Sequence, residues 1–161
     1  MSLNSSAISL EEIIFGFTSN LFVLAWLGLL ISVWLSRTSR WRPRLLWFGG
    51  RLIPVFLLAL FLAGALFTHG MKPEGSIFTY GGMLLIFERP ERALNVWIEI
   101  LALALFVSRW IVEQAQSRSL TRVGTTAILL VAFLSGGLGL LVYFCIEAIA
   151  RLTQRTENPA P

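Results

Sequence analysis

The chain has one cysteine, one histidine and one lysine in 161 residues, and each scarcity closes a class of chemistry. Cys145 alone cannot build a disulfide framework or a two-cysteine redox pair. His69 alone cannot supply both axial ligands of a bis-histidine haem within one chain. Haem-bearing and thiol-oxidising membrane enzymes are thereby excluded, and no metal and no cofactor are expected. Charge is also scarce. Only 14% of residues are charged against 56% hydrophobic, and the mean hydropathy of +0.75 places the chain among integral membrane proteins.

The net charge of +4 rests on arginine, with Lys72 the single lysine. Most arginines flank apolar runs, so the basic balance speaks of orientation and membrane lipids, not of nucleic acid. Residues 1–12 contain neither lysine nor arginine, which leaves no basic n-region for a signal peptide and no Arg-rich transit peptide. The first apolar run is therefore expected to be retained, in a bacterial or already mature chain.

Four apolar runs stand out: 13–35, 45–67, 93–112 and 123–150. A run of about 20 residues crosses the hydrocarbon of a bilayer as a helix, so the expected fold is an all-α integral membrane protein, a single domain forming a four-transmembrane-helix bundle. The first run stops at Arg37, Arg40, Arg42 and Arg44, interleaved with Trp34, Trp41 and Trp47, a headgroup signature. Arg51 lies close enough to the start of the second run to snorkel, and Pro54 suits its first turns. The central loop holds an apolar stretch too short to cross, predicting a short interfacial helix within 76–87. Pro90 introduces the third run. Ser135, Gly136, Gly137 and Gly139 interrupt the composition of the fourth. Arginines follow the first run and not its start, so the N-terminus is expected on the non-cytoplasmic side; four spans return the C-terminus to that side.

The third run carries the polar groups. Asn95, Glu99, Ala102, Phe106, Arg109 and Glu113 repeat at four and three residues, which puts them on one helical face. A carboxylate near the midplane costs at least roughly 2.5 kcal/mol, so it normally faces protein and has a purpose. Glu99 is thus a candidate general acid, or a residue that only specifies helix packing. Arg109 with Trp110 can hold a lipid phosphate or the polar end of an amphipathic ligand, or simply anchor the helix. In the fourth run Ala132, Gly136, Gly139 and Tyr143 form a small-residue stripe. Packed against the third run, it is expected to bring Glu99 within reach of Tyr143 or Asn20.

Other constellations fall away. Ser135-Gly136-Gly137 resembles a membrane serine nucleophile, yet no span contains a histidine to serve as its base. Four spans with one membrane acid is the plan of small proton-coupled drug exporters, but those are shorter chains with the acid in the first span.

Residues 97–111, WIEILALALFVSRWI, resemble the third-span signature of the abscisic-acid-deficient-four-like family, approximately W-x-H-x-L-A-x-D-L-F-V-G-R-W-I. Trp97, Leu101, Ala102, Leu105, Phe106, Val107, Arg109, Trp110 and Ile111 match. The fourth run is similar to T-F-L-F-G-P-L-G-L-L-L-Y, keeping Gly136, Leu138, Gly139, Leu140, Leu141 and Tyr143. Phe87, Pro90, Ala93 and Leu94 fit the stretch before the third span. The chain departs where the family has histidine (Glu99), aspartate (Ala104), glycine (Ser108) and proline (Gly137). The resemblance implies a divergent member of a group of small plastid and bacterial membrane proteins associated with neoxanthin synthesis. It implies a carotenoid or similar isoprenoid handled within a bacterial inner or thylakoid membrane, by an enzyme or by a binding protein. Under it Glu99 is cast as proton donor and Tyr143 as its hydrogen-bond partner. Asn95, Arg109 and Trp110 then hold the polar end of the ligand, and Gly136 and Gly139 line a groove for the flat polyene. The rival expectation is a non-catalytic subunit or scaffold docking partner helices, as a homo-oligomer or within a larger membrane complex.

Overall fold

The computed structural model describes residues 9–68, 79–118 and 120–157, and all regular structure among them is helical. Helix α1, Leu10–Trp34, opens on a capping box. The Glu12 N–H donates to Ser9 Oγ at 3.2 Å, and the Ser9 N–H donates to the Glu12 carboxylate at 3.1 Å. Helix α2, Trp41–Trp47, continues through a π-helical stretch, Phe48–Leu52, into α3, Ile53–Thr68, so the second apolar run forms one rod. Thr79 caps the short α4, Tyr80–Phe87, within the stretch expected to hold a short helix. Helix α5, Pro90–Ser117, starts on its proline, and Thr121 caps α6, Arg122–Leu134. Helix α7 spans Gly136–Glu157.

Leu10–Trp34, Trp41–Phe67 and Pro90–Ser117 are long and apolar enough to cross a membrane. Their directions follow from their contacts. The Trp97 indole donates to Ser19 Oγ at 3.3 Å, and the Arg37 guanidinium donates to the Gln116 carbonyl at 3.0 Å, so α1 and α5 run parallel. Asn95 lies on Gly64 and Arg109 on Gly50, so the α2–α3 rod runs antiparallel to both. Helix α5 sits centrally, burying Leu101, Ala102, Leu105, Ile111 and Val112 against its neighbours. Outward faces are apolar instead of charged: Leu24, Ile31, Val55, Leu62 and Phe67 are all exposed. Helices this apolar all round fit a lipid surrounding.

The fourth run departs from the expected single span. It is two helices that meet at Ser135, whose backbone is extended (φ −158°, ψ 116°). Phe133, near the tip of α6, stacks on Phe22 and tilts against Trp26 in the middle of α1, with ring centroids 5.5 and 4.7 Å apart. From there α7 returns along α5: Gly136 lies on Ala104, Tyr143 on Trp110, and Glu147 pairs with Arg118. Those three contacts ascend together in both helices, so α7 is parallel to α5 and antiparallel to α6. The physical cause is local. Ser135 breaks the helical ladder, and Gly139 leaves the space that lets α7 close against α6: a Cβ there would sit 2.6 Å from the Ala132 Cα. The pair forms a hairpin whose tip reaches the middle of the bundle and whose two arms share one end of it.

Candidate functional site

The polar stripe of α5 faces the α2–α3 rod, and glycines receive it. A Cβ on Gly64 would lie 3.1 Å from the Asn95 Cγ, and one on Gly50 would lie 2.6 Å from the Arg109 Cγ. Gly49, one residue earlier, meets the Ala25 backbone of α1: a Cβ there would lie 3.3 Å from the Ala25 carbonyl carbon. The π-helical turn therefore wedges two adjacent glycines between α1 and α5, the kind of local widening that recurs at functional sites.

Arg109 is fixed from two directions. Its Nε donates to Glu113 Oε1 at 2.9 Å, Nη2 stands 2.8 Å from the same oxygen, and Nη1 donates to the Gly50 carbonyl at 3.4 Å. Arg51 joins it at one side of an open groove of about 540 Å³. Phe106, Val107 and Trp110 of α5, with Leu140 and Phe144 of α7, form the apolar walls. Trp110 stands edge-on to Tyr143 (centroids 5.0 Å, 74°) and tilts against Phe144 at 5.7 Å. Tyr143 is 1% exposed, so it supports the wall from behind. At the far end of α5 the Glu147 carboxylate bonded to Arg118 holds that guanidinium above its ordinary pKa, with the Tyr143 phenol adding to the effect. The groove thus combines two guanidiniums, that of Arg109 held by Glu113, with an aromatic and aliphatic wall, a chemistry suited to an amphipathic molecule.

Set against the expected site, Arg109 and Trp110 line the groove, and Tyr143 braces it. Asn95 and Glu99 share the same face of α5 but lie outside the groove. Glu99 is half-buried, with no hydrogen-bond or ion-pair partner among the described residues. The expected pairing of Glu99 with Tyr143 is not formed. Tyr143 lies beside Trp110, eleven residues along α5 from Glu99 or roughly 16 Å of helical rise. Nor does Asn20 reach Glu99: its amide donates to the Gly16 carbonyl of its own helix at 2.8 Å, and it is exposed. Gly136 packs on α5 as the stripe predicts, whereas Gly139 packs on Ala132 within the hairpin, because the fourth run turns back. His69 lies outside the described residues, and no group of three or more metal-ligating side chains gathers among those described.

Arg51, Leu140 and Phe144 are the groove residues that sequence reasoning missed, together with Gly50, which seats Arg109 beside the groove. The adjacent pair Gly49-Gly50 beside an arginine in an otherwise apolar run was the available signal.

A family model described as ABA DEFICIENT 4-like matches residues 13–143 of the chain. No curated protein and no solved structure matches it.

Proposed function

We propose that this chain, which belongs to the ABA DEFICIENT 4-like family, takes a carotenoid or related isoprenoid from the bilayer into the groove between the α2–α3 rod, α5 and α7. Family membership and three apolar helices together fit a membrane protein of the neoxanthin-synthesis group. The observation that carries the ligand reading is the groove itself, with Arg51 and Arg109 set beside Phe106, Trp110 and Phe144. A hydroxylated or oxidised end ring would accept hydrogen bonds from the guanidiniums, while the polyene runs along the aromatic wall and out into lipid. A volume of about 540 Å³ suits an end group and the first part of a long chain.

The geometry favours binding over acid catalysis at this groove. Its one carboxylate, Glu113, already receives two N–H groups of Arg109 and serves to orient that guanidinium. Glu99 stands ten residues from Arg109, roughly 15 Å along the helix, so a single end ring cannot touch both. A proton donor at Glu99 would act on a different part of the molecule from the part that Arg109 holds.

The test is pigment retention. The protein is expressed in a host that makes epoxy-xanthophylls and purified in mild detergent, and its bound pigment is quantified. Arg109→Ala and Phe106→Trp, which remove the cationic side and fill the groove, are expected to lose most of the pigment while Leu62→Trp, on the outer surface, retains it. Equal retention by all three, or copurification with a larger complex and no pigment, overturns the groove and favours a scaffold.

A further inference from the structure

Where the loop after α1 meets the loop before α6, the structure holds a second cluster that the groove does not use. We propose that Arg37, Arg42 and Arg122 form a phosphate-binding cradle, built for a phosphate group at the membrane surface. The three arginines line a cavity of about 260 Å³ together with Gln116 and Thr125, and no carboxylate lines it among the described residues. Glu113 is engaged by Arg109 and Glu147 by Arg118, both outside this cavity.

A buried member separates this cluster from ordinary headgroup anchors: Arg37 and Arg122 are exposed at its mouth, and Arg42 lies beneath them. Arg40 and Arg44 are exposed and lie over the Trp41 ring, 5.9 and 5.2 Å from its centroid, as interfacial arginines do. Arg42, between them in sequence, turns inward and is only 9% exposed. Its Nε donates to the Ser32 carbonyl at 3.1 Å, and Arg37 Nη2 donates to the Gln116 carbonyl at 3.0 Å. Two guanidiniums are therefore held in place by backbone, each with further N–H groups to offer, and Arg122 completes a ring of like charge. Arg42 is the member withdrawn from water, and a buried guanidinium beside two like charges is best satisfied when an anion joins them. A phosphate supplies several acceptor oxygens and matches the guanidinium fork, so it is the occupant this chemistry selects. Phosphate oxygens come from a phospholipid headgroup or from a free phosphate, and the cradle's recognition chemistry is the same for both.

Thermal melting of the full chain in neutral detergent reads the site. A ligand that binds only the folded state raises the melting temperature in a concentration-dependent way. Melting is followed against phosphatidylglycerol doped into the micelles, against phosphatidylcholine at the same fraction, and against inorganic phosphate in buffer. Stabilisation by phosphatidylglycerol alone assigns a lipid headgroup, and stabilisation by inorganic phosphate assigns the free anion; either supports the cradle. Arg122→Gln, which removes no hydrogen bond within the described protein, is expected to weaken the response about tenfold or more in concentration. Arg42→Gln should do the same, whereas Arg40→Gln and Arg44→Gln, with the same loss of charge, leave it unchanged. No stabilisation by either phosphate source, or equal weakening by the Arg40 and Arg122 variants, overturns the proposal in favour of unspecific surface charge. The pigment experiment reads a different cavity, so failure of one leaves the other standing.

Discussion

Gly50 shows how one absent methyl group organises the site. Arg109 crosses it closely enough that a Cβ would fall 2.7 Å from the Arg109 Cβ, and the carbonyl of Gly50 accepts from Arg109 Nη1. Gly50→Ala is therefore expected to push the guanidinium off its seat and to lower stability by about 1–3 kcal/mol. Gly16→Ala, with nothing within 4 Å of the added carbon, should cost nothing. Melting curves of the two variants in detergent check this, and equal curves would show that Arg109 moves aside freely. Glu99 makes the second case at this scale. Glu99→Gln keeps the shape of a half-buried side chain with no partner among the described residues, so the fold should be unaffected. Pigment conversion then decides the acid's role: loss on the order of 10²-fold marks a proton donor, and full conversion ends the catalytic reading. Arg109 was legible in the sequence because helical periodicity places it on one face with Asn95 and Glu99. Gly50 was not, because its meaning comes from a residue 59 positions away.

At the scale of elements, the turn at Ser135 decides what α6 and α7 can be. Gly139 and Ala132 touch across it, and Gly136 touches Ala104 of α5, so two small residues serve two different interfaces. Gly137 serves neither, since a Cβ there would meet only the Ser135 hydroxyl at 3.9 Å. Gly139→Leu and Gly136→Leu are accordingly expected to lower the melting temperature well beyond Gly137→Leu, each costing about 1–3 kcal/mol or more. A Gly139→Leu variant as stable as Gly137→Leu would mean that the hairpin is not closed. The three helices that match the first three apolar runs were legible from length and hydropathy, with ends shifted by a few residues. The hairpin was not, because an apolar stretch long enough to cross reads the same whether it continues or turns back. The small-residue stripe announced close packing, but spacing alone could not say which residue meets α5 and which meets its own neighbour.

Across the whole molecule, the hairpin changes where charge falls. Four uninterrupted spans would separate Arg151 and Arg155 from Arg37, Arg40, Arg42 and Arg44 by the membrane, an arrangement that works against the tendency of arginine-rich loops to stay cytoplasmic. With α7 parallel to α5, its C-terminal turns lead toward the end of the bundle where Arg118 and Arg122 also lie. Chain position then gathers the arginines after α1, before α6 and along the end of α7 on one side, leaving Arg89 and Arg92 on the other. The prediction is that the arginine-rich side faces the cytoplasm, with the N-terminus of α1 opposite. On that prediction the groove with Arg51 and Arg109 would open in the cytoplasmic half, and Asn95 and Glu99 would lie in the other. Single cysteines placed at Arg40, Leu120 and Glu157 in a Cys145→Ser background should all react with an impermeant maleimide from the cytoplasmic face of oriented vesicles. A cysteine at Tyr80, the exposed first residue of α4, should react from the opposite face. If the probe at Glu157 instead reacts together with the one at Tyr80, the fourth run crosses the membrane, and the groove loses the wall that Leu140 and Phe144 supply.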